Sequence, residues 1–207
     1  MTIKEFFAKG CRFIKRSKRR LLLFLFQYPR KLKYQLLSSC SNTTGSPIVH
    51  QPVLFAGPGS ISFNGIVNLG VSASAGFYSG YIYLEARKEQ SKIVIEDGVW
   101  LNNNFTAVSE GEGIVIGKKT LIGTGVTIYD SDFHDLSPSR RMGGKPATGK
   151  VCVGENVFIG SNVTILKGVT IGDNSVIANG SIVNSDIPSD VIAGGVPCKV
   201  LKKLLAY

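Results

Sequence analysis

From Val151 to Val183 an aliphatic residue returns every sixth position, through Val153, Ile159, Ile165, Ile171 and Ile177. Four places after each stands a small or β-branched residue: Val157, Val163, Val169, Ser175 and Ser181. Ile116, Ile122 and Ile128 keep the phase, with Thr120 and Val126 at the second position. It continues upstream through Ile95 and Leu101, and more weakly through Phe55, Ile61 and Val67. A period of six is neither the helical 3.6 nor the strand's 2. It fits a solenoid in which six residues form one flat side of a coil. The aliphatic residue points inward, the small one fits the corner, and Gly or Asn takes the unusual backbone angles of the turn. Strands of a β-sandwich, spaced roughly 8–12 residues apart, would not hold one phase.

The rhythm breaks between Ile128 and Val153. The intervening "YDSDFHDLSPSRRMGGKPATGK" has turn formers and charges, and predicts a loop leaving the coil at about 129–150. Long loops thrown from a rigid scaffold usually carry function. Residues 1–40 read as one or two basic helices ending near Ser38-Ser39, and 41–52 as a linker. The chain thus divides into a helical segment, 1–45, and a coil domain, 46–207, closed by a short cap from about Asp186.

With 43% hydrophobic and 18% charged residues among 207, the chain can bury a core. Its net charge of +10 is concentrated: residues 1–40 hold eleven Lys/Arg against Glu5, while the rest balances at thirteen of each sign. The coil domain therefore shows no nucleic-acid signature, and nucleic acid is not an expected partner. The arm, with Leu and Phe among its charges, reads either as a peripheral membrane contact or as a helix packed on the solenoid or a neighbouring subunit. Its apolar run, Leu21 to Phe26, is too short to span a bilayer, which takes about 20 residues, or to direct export. Cys11, Cys40, Cys152 and Cys198 have no metal-ligand spacing and read as reduced thiols of a cytoplasmic protein; no metal is expected.

Of two histidines, His134 lies in the loop, flanked by Asp130, Asp132 and Asp135. Taken alone it reads more readily as a solvated side chain. Yet acyl transfer from a thioester needs a base on the attacking acceptor, and an imidazole titrates in the right range. A carboxylate or carbonyl on one ring nitrogen leaves the other free to accept. Asp132 is one candidate orienter, and Asp130 another.

The run from Val151 to Lys203, with "VGENVFIGSNVTILKGVTIGDNSVIANGSIV", resembles the bacterial hexapeptide-repeat acyltransferases, closest to the galactoside, maltose and surface-polysaccharide O-acetyltransferases. The resemblance covers about residues 50–203. It implies a left-handed parallel β-helix, against the right-handed rule for crossovers. It also implies His134 as catalytic base, with acetyl-CoA as co-substrate and a sugar or nucleotide-sugar acceptor. On the acceptor side it points to Asn103, with Glu110 or Glu112 as the acidic partner and Asp130 nearby. On the coenzyme side it points to Phe158, Ser161, Asn179, Asn184 and Ser185. Two departures stand out: the family commonly has Trp where Phe158 stands, and Thr-Lys where Asn184-Ser185 stands. Lys199, Lys202 or Arg140 would then supply the missing charge to the phosphates. Sites built between neighbours imply a homotrimer. The reading that follows is a cytoplasmic sugar O-acetyltransferase of surface-polysaccharide synthesis. Its rivals are N-acylation of a nucleotide-linked amino sugar, and a scaffold without chemistry.

Overall fold

The computed structural model describes residues 3–204, with side chains in the N-terminal helix at Lys18 and from Leu21 onward. One coil runs through strands Ile114–Ile116, Leu121–Ile122 and Thr127–Tyr129. The next takes Val151–Val153, Phe158–Ile159 and Thr164–Ile165, and the one after it Thr170–Ile171, Val176–Ile177 and Ile182–Val183. Successive strands lie on successive faces, and each pairs in parallel with its equivalent one coil on. Cys152 meets Thr170, Phe158 meets Val176 and Thr164 meets Ile182, each partner eighteen positions away. Three six-residue sides therefore close a prism, with faces of six, eight and six strands.

The hexad residues fill its axis. Ile95, Leu101, Ile116, Ile128, Ile159, Ile165, Ile171 and Ile177 have no exposed surface, and the corner residues Val126, Val157, Val163 and Val169 are buried with them. Burying each aliphatic side chain contributes roughly 1.5–3 kcal/mol. The residue before each corner takes a left-handed backbone conformation: Asn156, Asn162 and Asn174, or Gly168 and Gly180. Asn and Gly are the residues that enter that region at least cost. Thr120, at a corner where Val is usual, donates to the Gly154 carbonyl at 2.9 Å and accepts from the Val157 amide at 3.1 Å, so its buried hydroxyl is satisfied.

A single helix, α1 (Ile3–Leu37), precedes the prism, with Pro29 inside it. Its last turns lie on the first coils. Buried Gln27 donates to the Phe77 carbonyl, Arg30 to the carbonyls of Phe77 and Gly80, and Lys31 to that of Val49. Tyr34 stacks on Tyr81 at 4.5 Å. Burial holds the Lys31 ammonium below its usual pKa. The expected linker 41–52 is instead the first coil. Asn42–Thr44 pairs with Ser60–Ser62, and Ile48–Val49 with Asn68–Leu69, so the division at 45/46 falls inside it. The first of these, Asn42–Thr44, carries no aliphatic residue and is held by main-chain pairing. At the other end Val191–Gly194 turns back antiparallel against Lys199–Lys203 and caps the second face.

Insertions gather on one edge of the prism, between the third face and the first. Val94 and Val115 are paired 21 positions apart, three more than a plain coil, and the excess lies in the turn Ser109–Gly113. Val115 and Cys152 are paired 37 positions apart, so nineteen residues are inserted in the next coil. They form the loop between Tyr129 and Val151.

Candidate active site

The loop is fastened at its root from both sides. Asp130 is fully buried, and its carboxylate accepts from the Ser109 hydroxyl at 2.7 Å and the amides of Glu110 at 2.6 Å, Gly111 at 3.2 Å and Gly113 at 2.8 Å. It thereby holds the widened turn of the preceding coil. Ser131 donates to Glu110 at 2.8 Å, and the Asp132 carboxylate meets the Lys167 ammonium of the following coil at 3.3 Å. The two ends of the loop are joined by the Asp132 amide to the Ala147 carbonyl and the Gly149 amide to the Asp130 carbonyl.

Phe133, next along, has φ +60°, a left-handed conformation that costs a bulky residue about 1–3 kcal/mol. Its amide donates to Ser131 Oγ at 2.9 Å, and its ring packs edge-on to Tyr129. The Arg87 guanidinium lies 4.7 Å from the ring centre, while also gripping both oxygens of Glu85 at 3.0 and 2.9 Å. That grip holds the Glu85 carboxyl below its usual pKa. Burial, with a hydrogen bond to Glu85, pushes the nearby Tyr83 phenol up to about 12.

The strained step at Phe133 carries His134 to an exposed position. Its Nδ1 lies 3.3 Å from the Arg141 carbonyl oxygen. A carbonyl can only accept, so this contact places a proton on Nδ1, and in the neutral ring the lone pair is then on Nε2. The ring thus has the arrangement of a general base, oriented by main chain. Asp132, expected to orient it, is engaged with Lys167, and Asp130 is turned into the widened turn. Neither carboxylate reaches the imidazole, because both serve the coils flanking the loop. The remaining acidic neighbour, Asp135, is paired with Arg140 at 2.9 Å, which holds it below the usual carboxylate range. Arg140 is thereby tied into the loop rather than free for a phosphate.

The acceptor residues separate into buried and accessible. Asn103 cannot touch a substrate in this fold. It is fully buried, donating to the carbonyls of Val71, Ser74 and Ala75 and accepting from the Val71 amide. The segment after Leu69 folds back over it, and its amide satisfies that segment's backbone. Glu110 has one oxygen on Lys88 at 3.0 Å and the other on Ser131. Burial raises its pKa, but the hydrogen bonds from Lys88 and Ser131 outweigh that and leave it lowered. Glu112, two residues on in the same turn, is exposed. Lys88, Lys167, Arg87 and the Arg141 carbonyl had no local signal in the sequence, since each meets the loop or the widened turn only through coil stacking or loop closure.

The coenzyme residues fall on separate edges. Phe158 is exposed on the second face, in register with Leu121 and Trp100. Ser161 and Asn179 stand on the edge between second and third faces, where the Ser161 amide donates to Asn179 Oδ1 at 2.7 Å. Asn184 and Ser185 lie exposed across the third face, on the same edge as the loop. Lys199 is exposed in the terminal strand. Among the described residues no group of three His, Cys, Asp or Glu side chains is placed to hold a metal.

A prism of parallel six-residue rungs with a histidine-bearing loop on one edge defines a class of β-solenoid proteins. A family model described as the hexapeptide repeat of succinyl-transferase matches residues 150–185. Galactoside O-acetyltransferase of Lactococcus lactis is 43% identical over 107 residues, covering 52% of this chain and 51% of that protein. Its Escherichia coli counterpart is 42% identical over 114 residues, 55% of each. The chain spans about half the length of these curated relatives. A hexapeptide-repeat-containing acetyltransferase from Vibrio cholerae, solved with acetyl-coenzyme A, is 27% identical with a TM-score of 0.53, over 90% of this chain and 85% of that one. Over these repeats the chain is similar to hexapeptide-repeat acetyltransferases, and its solenoid is a left-handed β-helix.

Proposed function

We propose that the protein transfers an acetyl group from acetyl-CoA to a sugar hydroxyl, acting as a cytoplasmic homotrimer in surface-polysaccharide synthesis. The observation that carries the reading is the state of His134: Nδ1 tied to a carbonyl, Nε2 free among the described contacts, and the ring exposed on a fastened loop. In the reaction Nε2 takes the proton of the acceptor hydroxyl as its oxygen attacks the thioester carbonyl carbon. The carbon–sulfur bond breaks, the thiolate leaves and recovers that proton as free thiol, and the acetyl ester is the second product. Amides at the site would steady the oxyanion. The galactoside O-acetyltransferase relatives and the acetyl-coenzyme A complex of the Vibrio cholerae protein support this donor and acceptor class.

The surface fits the coenzyme with one condition. Phe158 offers an apolar contact and Lys199 a charge at the cap, but Ser161 and Asn179 are an edge away from Asn184 and Ser185. That separation is what a site shared between adjacent protomers requires, and it supports the trimer.

Thiol release from acetyl-CoA, measured against a panel of oligosaccharides and nucleotide sugars with mass spectrometry of the product, tests the proposal. An acetylated sugar that loses its acetyl group in mild alkali is expected. An alkali-stable product would make the reaction N-acylation, and the absence of both thiol release and acetyl-CoA binding would leave a scaffold.

A further inference from the structure

The side chains of Gln27, Arg30, Lys31 and Tyr34 commit one side of α1 to the first coils. The turns just before them are largely uncovered, with Leu23 alone of the run Leu21 to Phe26 half-buried. Leu21 is 57% exposed, Leu22 42%, Phe24 59%, Leu25 52% and Phe26 64%. Consecutive helical residues step about 100° around the axis, so this run is apolar on nearly every side. A flat protein surface covers only one side of such a girdle, whereas a fluid apolar medium covers every free side. At 1.5 Å per residue the run is about 9 Å long. That is far short of the roughly 30 Å hydrocarbon core, and similar to the depth reached by helices lying in the headgroup layer. Among the described residues no helix is long and apolar enough to cross a membrane.

Charge identifies the surface. Eight Lys/Arg stand between Lys4 and Arg20 against the single Glu5, and Lys18, Arg19 and Arg20 directly precede the girdle. Clustered cations beside an exposed apolar run complement anionic lipid headgroups above acyl chains. A nucleic acid would satisfy the charge but give the leucines and phenylalanines nothing to enter. We infer that α1 docks the protein on an anionic bilayer surface, the Leu21–Phe26 girdle dipping below the headgroups while the basic segment lies among them. This docking does not depend on the acyl-transfer reading.

Flotation of the full chain tests it, with vesicles of phosphatidylcholine alone or with about one third phosphatidylglycerol. Binding to the anionic vesicles is expected, weakening as salt is raised, with little binding to the neutral ones. The exposed pair Leu22→Ser/Phe26→Ser should weaken binding at least about tenfold, with circular dichroism and oligomeric state unchanged. No flotation with anionic vesicles, equal flotation with neutral ones, or undiminished binding by the double variant would overturn the inference. So would a change of oligomeric state in that variant, which would make the girdle a contact between copies. Thiol release in detergent-free solution is read separately, so loss of one reading leaves the other standing.

Discussion

The Nδ1 of His134 lies 3.3 Å from the carbonyl oxygen of Arg141, seven residues on in the same loop. The imidazole is therefore oriented by main chain. Replacing His134 with Ala should lower kcat by about 10²–10⁴-fold, with the melting temperature almost unchanged because the ring is exposed. Arg141→Ala keeps the carbonyl and should stay within a few-fold of the parent. Thiol-release kinetics separate the two, and a His134→Ala enzyme retaining most of its kcat would remove the imidazole from the chemistry.

The Asp132–Lys167 pair holds the loop against the next coil. Displacing a base by about 1 Å can cost up to about 10²-fold. Asp132→Asn and Lys167→Met should therefore each reduce kcat by about tenfold, and together by little more than either alone. A double-mutant cycle giving simple multiplication of the two losses would show that they act separately.

Buried Asp130 and Asn103 should act on stability rather than on substrate binding. Asp130→Ala strands the Ser109 hydroxyl and three buried or half-buried amides, at a cost of about 3 kcal/mol or more. Asn103→Ala strands the backbone of Val71 to Ala75 and should cost about 2 kcal/mol or more. Surviving folded enzyme should keep its KM for the acceptor. Exposed Glu112→Gln should leave stability alone, and a raised acceptor KM in that variant would mark Glu112 as the acidic acceptor contact. Chemical denaturation and acceptor titration distinguish the outcomes.

Acid should loosen the loop edge through Glu110. Its folded-state pKa is lowered, because the Lys88 and Ser131 bonds outweigh burial. The stabilisation is therefore complete above the ordinary glutamate value of about 4.3 and is lost as pH falls through the lower folded-state value. Glu85, lowered by Arg87, titrates in the same sense. Denaturation midpoints of the parent should fall more steeply than those of Glu110→Gln between about pH 5 and pH 3. Parallel curves would mean that the Lys88 contact contributes nothing to folding.

The sequence by itself determined the size of the rungs and the phase of the regular ones. Each inward aliphatic repeats one local requirement, burial on a flat side followed by a left-handed corner, so Ile116 or Ile159 could be assigned without knowing its neighbours. The break in that rhythm located the loop, and His134 within it, for the same reason. Tertiary structure alone decided which acidic groups are available to a substrate. Asp130 meets Ser109 across 21 positions and Asp132 meets Lys167 across 35, and those separations become contacts only when coils of unequal length stack. Asn103 is inaccessible because the segment after Leu69, which follows no six-residue rule, folds back over it. The start of the solenoid at Asn42 was hidden similarly, its first rung resting on main-chain pairing, which side-chain pattern does not record. Local periodicity carries information about burial, while the direction a polar side chain faces depends on what the next coil places beside it.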